Sequence, residues 1–413
     1  MDFTVVEKRG VCFPRGFRAA GAVAGLKASG KDDVALIVSD VPAVCAGTFT
    51  TSLFPAAPVV RDRVLLESGG GFRAVFANSG NANACTGDAG ERDAEATARM
   101  VAERLGVASD EVLVASTGRI GTPLPMDKIE RGVVLTAGAL SEDGGASAAR
   151  AIMTTDTCSK EFAVSFEVPG PDGPVEVRVG GMAKGAGMIE PRMASVPHAT
   201  MLAFITTDAA VERGFLSKVV SDSVERSFNR ITVDGDESTN DTVLVLANGL
   251  AGGVPLSEGA PGAAVFASAL SAAMEELARA IVLDGEGATK FVTVRVEGAV
   301  SSDAAEACAR AIANSLLCKT AWFGNDPNWG RVLAAAGRSG ASFDSKAVSL
   351  FYDDAPVVSK GMDAGTPEAE LSKIMGKGEF EVRLELGAGT CSAEVWTCDI
   401  SREYVTINAD YHT

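Results

Sequence analysis

The segment Lys184-Gly-Ala-Gly-Met-Ile-Glu-Pro-Arg-Met-Ala-Ser-Val-Pro-His-Ala-Thr200-Met-Leu sets a lysine and a Gly-rich turn ahead of a threonine that opens an apolar run. A threonine hydroxyl is a weak nucleophile until a base takes its proton. The closest base would be the residue's own α-amine, which exists only if the Ala199-Thr200 bond is cut. Such an amine titrates at roughly 7.7 to 8.0, so near neutrality a useful fraction is unprotonated. The plainer alternative is that Thr200 opens a buried strand, since Met201-Leu-Ala-Phe-Ile205 is short and apolar and leads into Thr206-Thr-Asp208. Residue types alone leave both readings open.

Other constellations carry weaker chemistry. Ser116-Thr-Gly118 closes an apolar strand, and a hydroxyl beside a flexible amide makes a pair of donors for a developing oxyanion, or an ordinary strand-ending turn. Gly25-Leu-Lys-Ala-Ser-Gly-Lys31 spells most of a phosphate loop, but Asp32 stands where Ser or Thr is needed and a strand follows instead of a helix. Gly185-Ala-Gly-Met-Ile-Glu190 lacks the third glycine of a dinucleotide fingerprint. Asp234-Gly-Asp-Glu237 does not complete a calcium loop and reads as a turn. Glu286 in Asp284-Gly-Glu-Gly-Ala288 reads, by itself, as a solvated turn acid.

These residues need elements to hold them. Val34–Val38, Arg73–Ala77 and Val112–Ala115 are short, apolar and bounded by Gly, Ser or Asp, the signature of buried strands. Between the last two, Ala94, Ala98, Val101, Ala102 and Leu105 share one face of a helix from Asp88 that Gly106 stops. Glu161–Val168 and Val175–Val179 flank Pro169-Gly-Pro-Asp-Gly-Pro174 and predict a hairpin with a Pro/Gly loop, whose second strand ends at Gly180-Gly-Met-Ala-Lys184. Ala263–Ala280 and Ser302–Leu317 suit helices, while Phe291–Glu297 and Glu379–Leu386 alternate as half-buried strands. Helices covering buried strands imply a layered α/β architecture.

With 413 residues the chain exceeds the roughly 250–300 at which one core stops growing, so two lobes are expected, 1–280 and 281–413. Lys plus Arg number 37 against 54 Asp plus Glu, a net charge of -17, which disfavours nucleic acid and anionic membrane as partners. An anionic amino acid would then need a local cation, for which Lys184 is the candidate. Eight cysteines without a Cys-x-x-Cys pair and two histidines, His198 and His412, argue against zinc. The start Met1-Asp-Phe-Thr-Val-Val-Glu-Lys-Arg is not a secretory signal, and no run of about 18 apolar residues occurs, so a cytoplasmic location is expected.

The chain resembles the ornithine acetyltransferase (glutamate N-acetyltransferase) family along nearly its whole length. The resemblance rests on Gly16-Phe-Arg-Ala-Ala-Gly21, Ser39-Asp-Val-Pro42, Ala46-Gly-Thr-Phe-Thr-Thr51 and Asn78-Ser-Gly-Asn-Ala-Asn-Ala84. It continues through Ile152-Met-Thr-Thr-Asp-Thr157, Lys184-Gly-Ala-Gly-Met-Ile189, Ala199-Thr-Met-Leu202 and Ser227-Phe-Asn-Arg-Ile-Thr-Val-Asp-Gly-Asp236. Asn325-Asp-Pro-Asn-Trp-Gly-Arg331 and Tyr404-Val-Thr-Ile-Asn-Ala-Asp-Tyr411 complete it.

The resemblance implies an αββα-like sandwich with a second, smaller α/β lobe, and self-cleavage between Ala199 and Thr200 into chains 1–199 and 200–413. Two processed pairs would assemble. Thr200 would take the acetyl group of N-acetylornithine and pass it to glutamate, in arginine biosynthesis, with acetyl-CoA as an optional further donor and no metal or dissociable cofactor. Thr117 by its hydroxyl and Gly118 by its amide would form the oxyanion hole, and Thr154, Lys184, Glu286, Asn408 and Thr413 would contact substrate. The chain departs from the family at 195–199, five residues inserted after Pro191-Arg-Met-Ala194. Ser195 therefore also stands where a nucleophile should, but the strand register beyond Thr200 favours Thr200, and Pro197 stiffens the longer linker. A self-processed amidase or aminopeptidase, and an uncut amino-acid-binding protein, are the alternatives.

Overall fold

Strand Val34–Phe49 is the spine of the first unit because it serves two layers. Its first part pairs with strands Phe17–Ala22 and Phe72–Asn81, and its last part, Val44–Phe49, pairs with Thr242–Ala247. Between them the register against Phe72–Asn81 jumps from Val38↔Ala74 to Ala43↔Phe72. Pro42 lies in that irregularity, where a residue without an N–H breaks no ladder.

Side-chain alternation then builds the layers. Val34, Leu36, Ala74, Phe76, Val112 and Val114 face helices Gly87–Leu105 and Met126–Gly138 through Ala98, Val101, Ile129 and Val133. Their strand neighbours Ala35, Ile37, Val75, Ala77, Leu113 and Ala115 face the opposite way, onto Met182, Leu202, Phe204, Leu244 and Leu246. Those belong to strands Gly173–Lys184, Leu202–Val211 and Thr242–Leu256. Helices cover the far side of this second layer, where Phe266 of Ala263–Leu283 packs its ring 6.4 Å from Phe166 and 6.2 Å from Phe215 of helix Arg213–Arg226. The result is helix, sheet, sheet, helix, with one apolar core between the sheets.

The computed structural model describes residues 3–7, 9–191 and 201–410. Its described residues divide into two units: the first runs to Asn229 and includes Glu237–Ile281, and the second contains Arg230–Asp236 and Val282–Asp410. The second unit has a six-stranded sheet in the order Met362–Asp363, Ala355–Ser359, Ser349–Tyr352, Glu379–Glu385, Phe291–Ala299, Cys391–Cys398. Its core packs Val292, Val294 and Val382 against Cys308, Ile312 and Trp322. Among the described residues no helix is long and apolar enough to cross a membrane.

Three expectations need correction. The hairpin loop is tighter than its prolines suggest, because strands Lys160–Gly170 and Gly173–Lys184 pair through Pro169↔Pro174 and Gly170↔Gly173. The glycines 180 and 181 lie inside the second of these strands and do not end it; a Cβ at Gly180 would strike the Gly10 carbonyl, and one at Gly181 would come within 2.8 Å of Leu277. Finally, the helix expected over Ser302–Leu317 is two helices, Ser302–Ala313 and Leu316–Phe323. Asn314 caps the first, and the Ser315 hydroxyl accepts the Cys318 amide to start the second.

Candidate active site

Strand Val112–Arg119 carries Thr117 and Gly118 at its end, in parallel register with Ser79 and Gly80. The backbone of Gly118 has φ +129°, and a Cβ there would lie 2.5 Å from the Gly80 carbonyl carbon, so no other residue fits. Thr117 is buried, and its hydroxyl accepts a hydrogen bond from Lys184 Nζ at 3.4 Å. Having accepted from an ammonium, that hydroxyl keeps its own proton to donate elsewhere. This is what an oxyanion donor requires.

Lys184 ends the strand Gly173–Lys184 and is buried; its Nζ also donates to Thr154 Oγ1 at 2.7 Å. The strand register places Lys184 opposite Leu202, two residues beyond Thr200 in the sequence. A buried ammonium needs a counter-charge. Asp156 supplies it, and its carboxylate accepts from Lys160 Nζ (2.7 Å), the Gly185 amide (2.7 Å) and the Thr154 amide (2.9 Å). Burial opposes its ionisation, but Lys184, Lys160 and the Gly185 amide outweigh burial and hold the carboxyl well below the usual range. Asp156 thus fixes Thr154 and the Lys184–Gly185 turn together.

Asn240 braces the same strand end from the other layer, its Nδ2 donating to the carbonyls of Ala82 (2.6 Å) and Ser116 (2.8 Å). Lys27 adds a further cation. Burial pushes its ammonium down to about 8 against the pull of Asp33, and Lys184 pushes the same way as burial. Its Nζ donates to the carbonyls of Asp32 (2.5 Å) and Ala151 (3.4 Å).

The loop that resembles a phosphate cradle is already filled. The amides of Ala24, Gly25, Leu26 and Lys27 all donate to the carboxylate of Asp33, at 2.6, 2.9, 2.6 and 3.1 Å. Among the described residues no group of three His, Cys, Asp or Glu could hold a metal ion.

The structure therefore brings together Thr117, Gly118, Thr154 and Lys184 in the first unit. In the second unit it joins another pair: Asn408, on helix Arg402–Asp410, donates to Glu286 Oε2 at 2.6 Å. Glu286 is buried and so is not the solvated turn acid its glycine neighbours suggest. Gly287 beside it has φ +68°, and a Cβ there would lie 2.7 Å from the Tyr404 amide, so the turn presses on the helix. Ser195, Pro197, His198, Ala199, Thr200, His412 and Thr413 lie outside the described residues.

Sequence reading missed Asp156, Lys160, Asn240 and Lys27. Asp156 sits in the run Met153-Thr-Thr-Asp-Thr-Cys-Ser-Lys160, where an Asp four residues before a Lys invites an ion pair, the one local signal on offer. Asn240 acts through carbonyls distant in sequence, and Lys27 bonds Asp32 nearby but Ala151 far along the chain, so neither stands out as a pattern.

Residues 18–413 match the model of the ArgJ family. The arginine biosynthesis bifunctional protein ArgJ of Symbiobacterium thermophilum is 50% identical over 406 residues, covering 98% of this chain and 98% of that one. The protein of the same name from Geobacter sulfurreducens is 50% identical over 400 residues, 97% of this chain and 99% of its own. Among solved structures, ornithine acetyltransferase from Mycobacterium tuberculosis complexed with ornithine is similar at 45% identity over 46% of this chain and 100% of that chain, with a TM-score of 0.43.

Proposed function

The chain belongs to the ArgJ family, and we propose that it transfers an acetyl group from N-acetylornithine to glutamate through an acetyl-threonine on Thr200. The observation that carries this reading is the junction of Thr117, Gly118, Thr154 and Lys184 around a buried ammonium. In the reading, self-cleavage between Ala199 and Thr200 frees the α-amine that serves as base. The Thr200 hydroxyl attacks the acetyl carbonyl, and the negative charge that develops on oxygen is met by the Thr117 hydroxyl and the Gly118 amide. Ornithine leaves with the proton the amine took, and glutamate attacks the acetyl ester in the reverse sense.

Lys184 and Thr154 hold the carboxylate shared by both amino acids, which is how a chain of net charge -17 accepts anions. Glu286, Asn408 and Thr413 keep the substrate contacts that family likeness assigns them. Acetyl-CoA is a second acetyl donor, in keeping with the word bifunctional in the relatives' name. The chemistry calls on no metal or dissociable cofactor, the processed chains pair as two copies of each, and the enzyme works in the cytoplasm.

Intact mass under denaturing conditions, followed by transfer kinetics, tests this. Two chains, the second starting at Thr200, with parallel double-reciprocal lines for the two substrates, are the expected result. A Thr200→Ala protein that still transfers acetyl, or a chain starting at Ser195, overturns the assignment of the nucleophile. Release of acetate to water in place of transfer favours the amidase alternative.

A further inference from the structure

Lys27 lies in the loop between strands Phe17–Ala22 and Val34–Phe49, yet its half-buried side chain runs across the ends of other strands. Its Cγ passes over Gly80, which has φ +100° and where a Cβ would come within 3.3 Å of it. A side chain at 80 would be strained in that conformation and would press on the lysine stem, so glycine keeps the crossing open. Gly80 is in parallel register with Gly118, one strand spacing or about 4.8 Å away. The stem therefore runs beside the strand end that presents Thr117 and Gly118. At its tip Nζ reaches the Ala151 carbonyl, three residues before the Thr154 that Lys184 holds.

This ammonium is tethered without being neutralised. Of its three N–H groups, two go to uncharged carbonyls, those of Asp32 and Ala151. The acids that act on it are committed elsewhere. Asp33 accepts from four loop amides, Asp156 accepts from Lys160 and the amides of Gly185 and Thr154, and the Asp32 carboxylate lies 3.9 Å from Arg150. Burial, with the like charge of Lys184 beside it, outweighs the pull of these acids and leaves Lys27 at about 8. An anion arriving at the third N–H would offset both the burial and the repulsion.

Resting on the acetyl transfer proposed above, we infer that Lys27 is a specificity-determining residue that receives the side-chain carboxylate of glutamate. The two amino acids of that reaction share an α-carboxylate, for which Lys184 and Thr154 serve, and differ at the far end. Ornithine carries an ammonium there and glutamate a second carboxylate. A cation beside the Thr117–Gly118 strand end, separate from Lys184, is what the acceptor needs and the donor does not. Glutamine has the length and shape of glutamate without the charge, so Lys27 separates these two acceptors by a charge-assisted hydrogen bond that only one of them makes.

The test compares glutamate with glutamine as acetyl acceptors on one enzyme sample, so that the amount of active protein and every step before the acceptor cancel. The ratio of their kcat/KM values is expected to fall about tenfold in Lys27→Met, the effect of one hydrogen bond to a charged group. Wild type alone gives a second reading that needs no variant to fold. Its ratio is expected to decline between pH 7 and pH 9, because Lys27 loses its proton through about 8. The other groups that face Lys27, namely Asp33, Lys184, Asp156, Asp32 and Arg150 behind Asp32, act on both acceptors alike. An unmoved ratio in Lys27→Met overturns the inference, as does a loss shared equally by both acceptors, which marks a structural role, or a wild-type ratio flat across that range. A held ratio with a raised KM for acetyl-CoA overturns it too and gives the ammonium to the phosphates of that donor. Calorimetric binding of glutamate and glutamine is measured on the same samples. Binding that shows the Lys27-dependent preference in a wild type without transfer sinks the proposed activity and leaves Lys27 standing, whereas transfer with no change in preference sinks Lys27 alone.

Discussion

The segment Thr154–Lys160 and the head of strand Thr242–Leu256 each bury a carboxyl within the field of Lys184, and the chain treats the two oppositely. Asp156 receives two backbone amides and the ammonium of Lys160, so burial fails to keep a proton on it. The Asp241 oxygens accept no hydrogen bond from another residue and have Glu237 nearby, so burial succeeds. Shared proximity to one lysine does not decide the charge of a buried acid. What decides is the second ammonium, Lys160, together with the amides aimed at Asp156, set against the like charge of Glu237 near Asp241. One carboxyl is thereby a fixed part of the frame, and the other is left in reserve.

Substituting the framed acid should produce the largest effect. Asp156→Asn keeps the shape but places an amide NH₂ against donors and leaves Lys160 and Lys184 without their buried counter-charge. Breaking a buried pair in this way costs about 3–5 kcal/mol, read as a fall in the urea midpoint at pH 7. The loss should carry a pH signature. The folded carboxyl is held below its unfolded value, so its contribution is present above roughly pH 4 and disappears as pH falls through that range. The gap between wild type and variant should therefore narrow on acidification toward pH 3. A gap independent of pH would mean that Asp156 contributes shape and not charge.

How much of this contrast could be read from the chain differs by residue. Lys184, Thr117 and Gly118 came from family resemblance, since a lysine before a Gly-rich turn and a Thr-Gly pair at a strand end read, as residues alone, equally as ordinary turns. The layers were legible, because Val34–Val38 announces a strand as a short bounded apolar run and Asp88–Leu105 a helix by its periodicity. Asp156 was not, as its bond to the Gly185 amide spans residues far apart and its neighbours Thr154, Thr155 and Thr157 read as a polar turn. Asp241 was hidden for the same reason, inside Ser238-Thr-Asn-Asp241. What marks it is an absence of hydrogen bonds, and absence has no sequence pattern. The split of Ser302–Leu317 into two helices escaped because the Ala-rich run on its first half is helical either way and the break depends on one serine cap.

A smaller effect, confined to function, should follow from removing the cation that both acids face. Lys184→Met deletes the donor to Thr154 and Thr117 while Lys160 still neutralises Asp156. Losing one charged hydrogen-bonding partner of a buried anion typically costs 2–5 kcal/mol, so kcat/KM for the acetyl donor should fall about 100-fold, roughly 2.7 kcal/mol at 1.36 per factor of ten. If Lys184 holds only the substrate carboxylate, the loss appears in KM. If its bond to Thr117 also poises the oxyanion donor, kcat falls as well. Lys184→Arg should not restore activity, because a planar guanidinium cannot point one donor at two hydroxyls in the manner of an ammonium. A variant within threefold of wild type in both constants would remove Lys184 from the site.

The smallest effect belongs to Asp241. In an uncut Thr200→Ala background, Asp241 has a folded affinity for protons above its unfolded one, so its contribution to stability is complete below roughly pH 4 and is lost as pH rises toward its folded value. Asp241→Asn cannot titrate and escapes that loss. The variant should thus gain on the Thr200→Ala parent between pH 5 and pH 8, the reverse of the trend for Asp156→Asn. Because an amide in this pocket is itself unpaired, the gain should be modest, about 1 kcal/mol, read as a difference between urea midpoints at the two pH values. If the two urea midpoints keep the same difference at both pH values, Asp241 is not held protonated by burial, and the contrast with Asp156 fails.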